Sequence, residues 1–289
     1  MSSQGDQLRQ KADKKATSTS SFSFFSSSTT KYEEAHDLYQ SAGNSYKIDK
    51  RFKDAGDCFS KAAEMALKMD EKDDAANDYW TAAKAYKLSH PELAVASLQK
   101  TIQLYKEKGR FRQAADREKE VASILLTEGG DLRGALEAFE SAGDLYGSED
   151  ASASANQCFK EAAELAARVE DYPRAVGHFE RVASQSLGSA LTKYGVKEYY
   201  LKAGLCWLAT ADVVSTKRAI DGYCLNDPTF ATTRECQLLN AISEAFDAGD
   251  AENFTLAVAD YDRLNKLDNW KTTILLTIKR QIAEEPSLT

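Results

Sequence analysis

Proline and glycine are scarce in this chain of 289 residues, with four and fifteen copies. So few helix breakers leave long stretches free to be helical and weigh against sheet. The three histidines, His36, His90 and His178, are scattered. None has a cysteine or second histidine at ligand spacing, which argues against a bound metal. The five cysteines, Cys58, Cys158, Cys206, Cys224 and Cys236, are odd in number and include no C-x-x-C pair. They read as small buried thiols of a cytosolic protein. No apolar run approaches the roughly 18 residues of a membrane span, and the first residues lack the apolar core of a secretion signal. Phosphate-cradling glycine loops and the H-E-x-x-H signature are missing as well. A formal charge of −8 disfavours non-specific contact with nucleic acid. What remains is a cytoplasmic helical protein with no metal, no cofactor and no clustered catalytic set.

What is present is a repeat. Four segments carry an alanine, an apolar residue four later and a small or β-branched residue seven later. They are Ala55/Phe59/Ala62, Ala94/Leu98/Thr101, Ala135/Phe139/Ala142 and Ala175/Phe179/Val182, with starts 39, 41 and 40 residues apart. A second series interleaves with it: Ala35/Tyr39/Ala42, Ala76/Trp80/Ala83, Ala115/Lys119/Ala122 and Ala155/Phe159/Ala162, spaced 41, 39 and 40. Offsets of four and seven place all three residues on one helix face. Small residues let neighbouring helices approach while the aromatic fills the gap. Two interleaved series of one period predict one helix hairpin per repeat, and hairpins that cannot bury their faces alone stack. The alanine–aromatic pattern is tetratricopeptide-like, although the period is longer than the 34 residues of that repeat.

The repeat loosens near residue 185. Helices are predicted at roughly 194–209, 211–222, 232–248, 251–265 and 270–284 from their apolar periodicity. Leu187-Gly188-Ser189 and Asn226-Asp227-Pro228 mark the main breaks. The predicted class is therefore all-α: a tetratricopeptide-like α-solenoid with a C-terminal helical bundle. The expected parts are an N-terminal helix and aromatic loop over 1–30, hairpin repeats over 31–186, and the bundle with an acidic tail over 187–289.

Three local features point to partners. Phe22, Phe24 and Phe25 stand in a serine–threonine tract without helical spacing. They either tuck against the first hairpin or form an apolar tip that meets a membrane or partner. Three partly inserted rings, each worth at most about 1.5–3 kcal/mol, would make a weak and reversible anchor. Charge is also uneven: residues 187–234 hold six basic and four acidic residues, whereas 235–289 hold five basic and ten acidic. Either these are ordinary solvated faces or the two regions suit partners of opposite charge. Finally, the tail Glu284-Glu285-Pro286-Ser287-Leu288-Thr289 sets a lone leucine beyond an acidic pair.

Short motifs are more specific than the repeat. They are Phe24-Phe25-Ser26, Gly109-Arg110-Phe111, Tyr194 with Lys197 through Lys202, Arg234-Glu235-Cys236, Leu267-Asp268-x-Trp270 followed by Thr272-Thr273-Ile274-Leu275, and the penultimate Leu288. With them, essentially the whole chain closely resembles the soluble NSF attachment proteins of the α type. The resemblance implies a non-catalytic adaptor. Several copies surround a SNARE complex and recruit the hexameric AAA ATPase NSF, which pulls the SNARE bundle apart after membrane fusion. It implies SNARE-facing positions at Lys87, Arg110, Leu191, Lys193, Tyr194, Lys197 and Arg234. It implies NSF-facing positions at Asp212, Glu244, Asp247, Glu284 and Glu285, with Leu288 stimulating ATP hydrolysis. The loop of Phe22, Phe24 and Phe25 would touch the membrane, making the protein peripherally membrane-associated. Asp116 and Gln157 depart from the family pattern, which leads one to expect lysines there; Arg112, Arg117 and Lys160 are their basic neighbours. The competing readings are a tetratricopeptide-like scaffold for another trafficking or chaperone partner, and an enzyme with a divergent site.

Overall fold

The computed structural model describes residues 3–18 and 28–284. Among these residues there are fourteen α-helices and no strand. The first nine are α1 (Gln4–Thr17), α2 (Ser28–Ile48), α3 (Phe52–Lys68), α4 (Lys72–Tyr86), α5 (Pro91–Glu107), α6 (Phe111–Ile124), α7 (Leu132–Gly147), α8 (Ser152–Arg168) and α9 (Tyr172–Leu187). The remainder are α10 (Val196–Ala209), α11 (Val213–Asn226), α12 (Arg234–Asp247), α13 (Ala251–Leu264) and α14 (Asn269–Glu284). The chain divides into two compact units, Met1–Ala155 and Asn156–Thr289.

In the first unit each helix packs on the one before and the one after it. The two alanine series are the reason. Series one falls on α3, α5 and α7, series two on α2, α4 and α6, and every alanine of these triplets is buried. Tyr39, Phe59 and Leu98 fill the gaps between them, each no more than 3% exposed. Three positions leave the column. Lys119 is exposed, and Trp80 and Phe139 are only half-buried. On α4 the residue before Trp80, Tyr79, is buried instead, as is Tyr86.

The helices stop by a recurring device. Lys50, Asp70, Gly109, Asp150, Glu170 and Gly249 all take positive φ. After each, the next amide donates back five residues: Arg51 to Tyr46 (2.8 Å), Glu71 to Ala66 (2.9 Å), Arg110 to Tyr105 (2.8 Å), Ala151 to Tyr146 (3.0 Å), Asp171 to Ala166 (2.9 Å) and Asp250 to Ala245 (2.8 Å). This is the left-handed C-terminal cap that satisfies orphan carbonyls and turns the chain sharply. Proline then opens α5 and lies in the first turn of α9, where the missing amide costs nothing.

The second unit is built around α10. This helix is buried on nearly every side, from Val196 to Ala209, and packs against α9, α11, α12 and α14. Gly204 is what lets α12 come so close: a methyl group there would stand 2.6 Å from the Leu239 side chain. Tyr200 stacks on Tyr223 at 4.4 Å, and Phe230 meets Tyr200 edge-on. Phe179 meets Trp270 edge-on at 5.6 Å, which fastens α14 to α9. The predicted C-terminal helices are present with shifted ends. α10 begins at Val196 because Lys193–Gly195 forms a 3-10 turn. Asp212 and Thr233, at the N-caps of α11 and α12, set those starts.

Candidate partner-binding surfaces

The first unit contributes Lys87 and Arg110. Lys87 ends α4, is exposed, and has the exposed Leu88 beside it. Arg110 follows the left-handed Gly109 and opens α6. Its guanidinium lies 3.0 Å from Asp73, which also receives the Lys108 ammonium. The Lys108 hydrogen bond and the Arg110 charge hold the Asp73 carboxyl below the usual range. One turn away Lys72 pairs with Glu107 at 2.8 Å. Lys72, Lys108 and Arg110 thus meet Asp73 and Glu107 at this edge, and Asp70 acts on Lys72 as well.

Of the departures, Asp116 accepts the Tyr146 hydroxyl and so ties α6 to α7. Arg117 is no substitute cation for that position. Its guanidinium stacks 4.1 Å from the Trp80 ring and pairs with Glu120 at 3.2 Å. Lys84 lies over the same ring at 3.3 Å. This explains why Trp80 left the buried column: its ring supports two cations and its indole N–H donates to Glu120. Arg112 remains exposed.

The second unit brings the other five SNARE-facing candidates to one region. Leu191 and Tyr194 are 94% and 83% exposed, and Lys193 between them is exposed too. Ile48 and Leu225 are comparably bare, so what sets this region apart is the cations beside Leu191 and Tyr194. Lys197 lies 5.2 Å over the Tyr194 ring, and its ammonium is 3.1 Å from Glu235. Glu235 is only 3% exposed, so Lys197 is the counter-charge that a buried carboxylate requires. Arg234, the next residue back, is exposed and donates to Asn265 at 3.3 Å. In the second unit, Gln157 donates to Glu161 at 2.6 Å, and Lys160 is half-buried.

Sequence reasoning missed a set of charges inside this unit. Lys202 is 5% exposed, lies 2.6 Å from Glu164, and sits 5.0 Å over Trp270. Lys271 is 7% exposed and pairs with Glu198 at 2.6 Å and Asp268 at 3.5 Å. The Glu198 and Asp268 carboxylates outweigh burial and hold the Lys271 ammonium above its ordinary value. Trp270 donates to the Glu164 carbonyl at 3.2 Å. Lys202 therefore belongs to the interior and not to a solvent-facing basic region. The Leu267-Asp268-x-Trp270 motif is the fastening of α14: Asp268 caps it through the Lys271 amide at 2.8 Å, and Trp270 fills the core.

At the other end of the α11–α12 pair lie the acidic candidates. Asp212 accepts the Ser215 amide and hydroxyl at 2.9 and 2.6 Å, which keeps its carboxyl ionised to low pH. Asp247 pairs with Lys217 at 2.6 Å, so the first half of α11 lies against the end of α12. Glu244 is exposed one turn before Asp247. Glu284 closes α14. Phe22, Phe24, Phe25, Glu285 and Leu288 lie outside the described residues.

Among the described residues there is no group of three histidine, cysteine or acidic side chains able to hold a metal ion. No described helix is long and apolar enough to cross a membrane. His36 pairs with buried Asp78 at 2.7 Å, and Gln40 donates to the same carboxylate at 2.8 Å, so this network joins α2 to α4.

Comparison with known proteins finds a family model and near full-length relatives. The sequence model of a family described as soluble NSF attachment protein, SNAP, matches residues 3–283. The chain is 54% identical to the vesicular-fusion protein SEC17 of Coprinopsis cinerea, over 98% of this chain and 97% of that one. It is 35% identical to the alpha-soluble NSF attachment protein of Homo sapiens, over 95% and 93%. A solved signal-transduction ATPase with a tetratricopeptide repeat sensor from Pyrococcus horikoshii aligns with a TM-score of 0.45 and 13% identity, covering 88% of this chain and 41% of that one.

Proposed function

Since the chain belongs to the soluble NSF attachment protein family, we propose that it is a non-catalytic adaptor that binds assembled SNARE complexes, recruits the NSF ATPase and stimulates their disassembly. The observation that carries this reading is the exposed set Leu191, Lys193, Tyr194 and Arg234, with half-buried Lys197 beside it. It pairs two bare apolar side chains with three cations, which suits a partner whose surface is acidic and also offers apolar contact. Lys87 and Arg110 add positive charge from the first unit. Charge pairing of this kind steers association, tolerates varied partner sequences and weakens with salt. Several copies around one bundle supply avidity in place of one tight site.

The acidic end formed by Asp212, Glu244 and Asp247, together with Glu284, Glu285 and Leu288, would meet NSF. Phe22, Phe24 and Phe25 would add weak contact with the membrane that holds the SNAREs, placing a cytoplasmic protein at the membrane periphery. The test is retention of the purified chain on an immobilised, assembled SNARE complex at low salt, followed by disassembly on adding NSF and ATP. Retention that falls steeply with salt, and ATP-dependent release, are expected. Absence of retention at low salt would overturn the reading and leave a scaffold for another trafficking or chaperone partner.

A further inference from the structure

Cys224 on α11 and Cys236 on α12 are twelve residues apart in sequence, yet their sulfurs lie 3.6 Å apart. Neither is in a disulfide. Cys224 is half-buried, with the exposed Leu225 and Asn226 beside it, whereas Cys236 is 2% exposed. Cys236 is held in place from two sides. Its amide donates to Thr233 at 3.2 Å, and its sulfur accepts from Asn240 at 3.5 Å. Cys58, Cys158 and Cys206 are buried on α3, α8 and α10. One solvent-reachable thiol in contact with one fixed, buried thiol is the arrangement of an attacking and a resolving cysteine.

We infer that Cys224 and Cys236 are a redox-responsive pair that a hydroperoxide closes into a reversible disulfide, cross-linking α11 to α12. The Cys224 thiolate attacks the peroxide oxygen. An S–O bond forms, the O–O bond breaks, and the departing oxygen leaves as water or an alcohol with the proton from Cys224. Cys236 then gives up its proton, and its thiolate attacks the Cys224 sulfur. The S–S bond forms, the S–O bond breaks, and hydroxide takes the Cys236 proton and leaves as water. Two thiols are oxidised by two electrons and one hydroperoxide is reduced. Burial keeps Cys236 protonated well above the ordinary thiol range, so Cys224 reacts first and Cys236 resolves. Bond formation needs the sulfurs to close by about 1.5 Å, within reach of side-chain rotation. The link would pin the turn that carries buried Phe230 and leads into Arg234.

The test treats the full-length folded chain with hydrogen peroxide, removes the peroxide, alkylates in denaturant without reductant, and maps peptides by mass spectrometry. The expected product has lost about 2 Da, as two hydrogens. It carries one linked peptide pair joining Cys224 to Cys236, with the other three thiols alkylated. Dithiothreitol should restore all five alkylatable cysteines. Cys224→Ser should abolish the mass loss and leave Cys236 alkylatable. Because that variant changes the half-buried position, it decides the matter even if the buried Cys236→Ser chain does not fold. Five alkylatable thiols after peroxide, oxygen added to Cys224 without linkage, or a different pairing would each overturn the inference.

Discussion

At the scale of single residues, the lysines of the second unit divide into two kinds that sequence spacing does not distinguish. Lys193 projects into solvent, Lys202 is sealed against Trp270 and Glu164, and Lys197 stands between them, bound to buried Glu235. Lys202→Ala should lower unfolding stability by about 2–3 kcal/mol in urea titration, because it strips the counter-charge from Glu164 and opens space beside Trp270. Lys193→Glu should shift stability by no more than about 0.5 kcal/mol, and yet weaken retention on a SNARE complex and flatten its salt dependence. Unchanged retention at low salt would remove Lys193 from the binding surface. Lys197→Glu is a poorer probe: it sets a second carboxylate against Glu235, so its binding loss would include a local folding loss. This difference could not be read from the sequence. Both lysines sit in an apparently basic stretch, and only the packing of α10 between four neighbours says which one is interior.

Among elements, the alanine columns were legible in the sequence, whereas most of the helix stops were not. The columns follow from helical periodicity, and the structure buries every alanine in them. The stops recur because each hairpin needs a sharp reversal, met by a residue in the left-handed region; at Lys50, Asp70, Asp150 and Glu170 no glycine marks it. Trp80 was misplaced because its column position is right for burial, but Arg117 and Lys84 offered its ring better partners. The α2–α4 contact carries a titratable joint. Hydrogen bonding to Asp78 raises His36 above its ordinary value of 6.5 despite burial. A raised folded value stabilises fully below the unfolded value, and the contribution is lost as pH climbs through the folded one. The urea midpoint should therefore fall as the pH rises above 6.5, and His36→Gln should flatten that slope. An equal slope in both proteins would show that the joint does not contribute.

For the molecule as a whole, the proposed adaptor role separates into jobs that can be removed one at a time. Replacing Phe24 and Phe25 with serine should reduce flotation with liposomes and leave binding to a soluble SNARE complex intact, since each buried ring is worth at most about 1.5–3 kcal/mol to membrane contact and nothing to charge pairing. Unchanged flotation would reject the membrane contact. Leu288→Ala should leave the complex with NSF and SNAREs assembled but slow ATP-driven disassembly several-fold. Equal rates would reject a role for that leucine in stimulation.

The sequence by itself determined the helical class, the forty-residue hairpin period and the family, because periodicity and motif spacing are local properties of the chain. It also marked the candidate positions at Leu191, Tyr194 and Lys197. Only the tertiary structure decided which charges are interior, that Arg117 is spent on Trp80, and that Cys224 meets Cys236. Those outcomes depend on contacts between helices far apart in sequence. There, burial turns a surface charge into an obligate pair and brings two unrelated thiols within reach of each other.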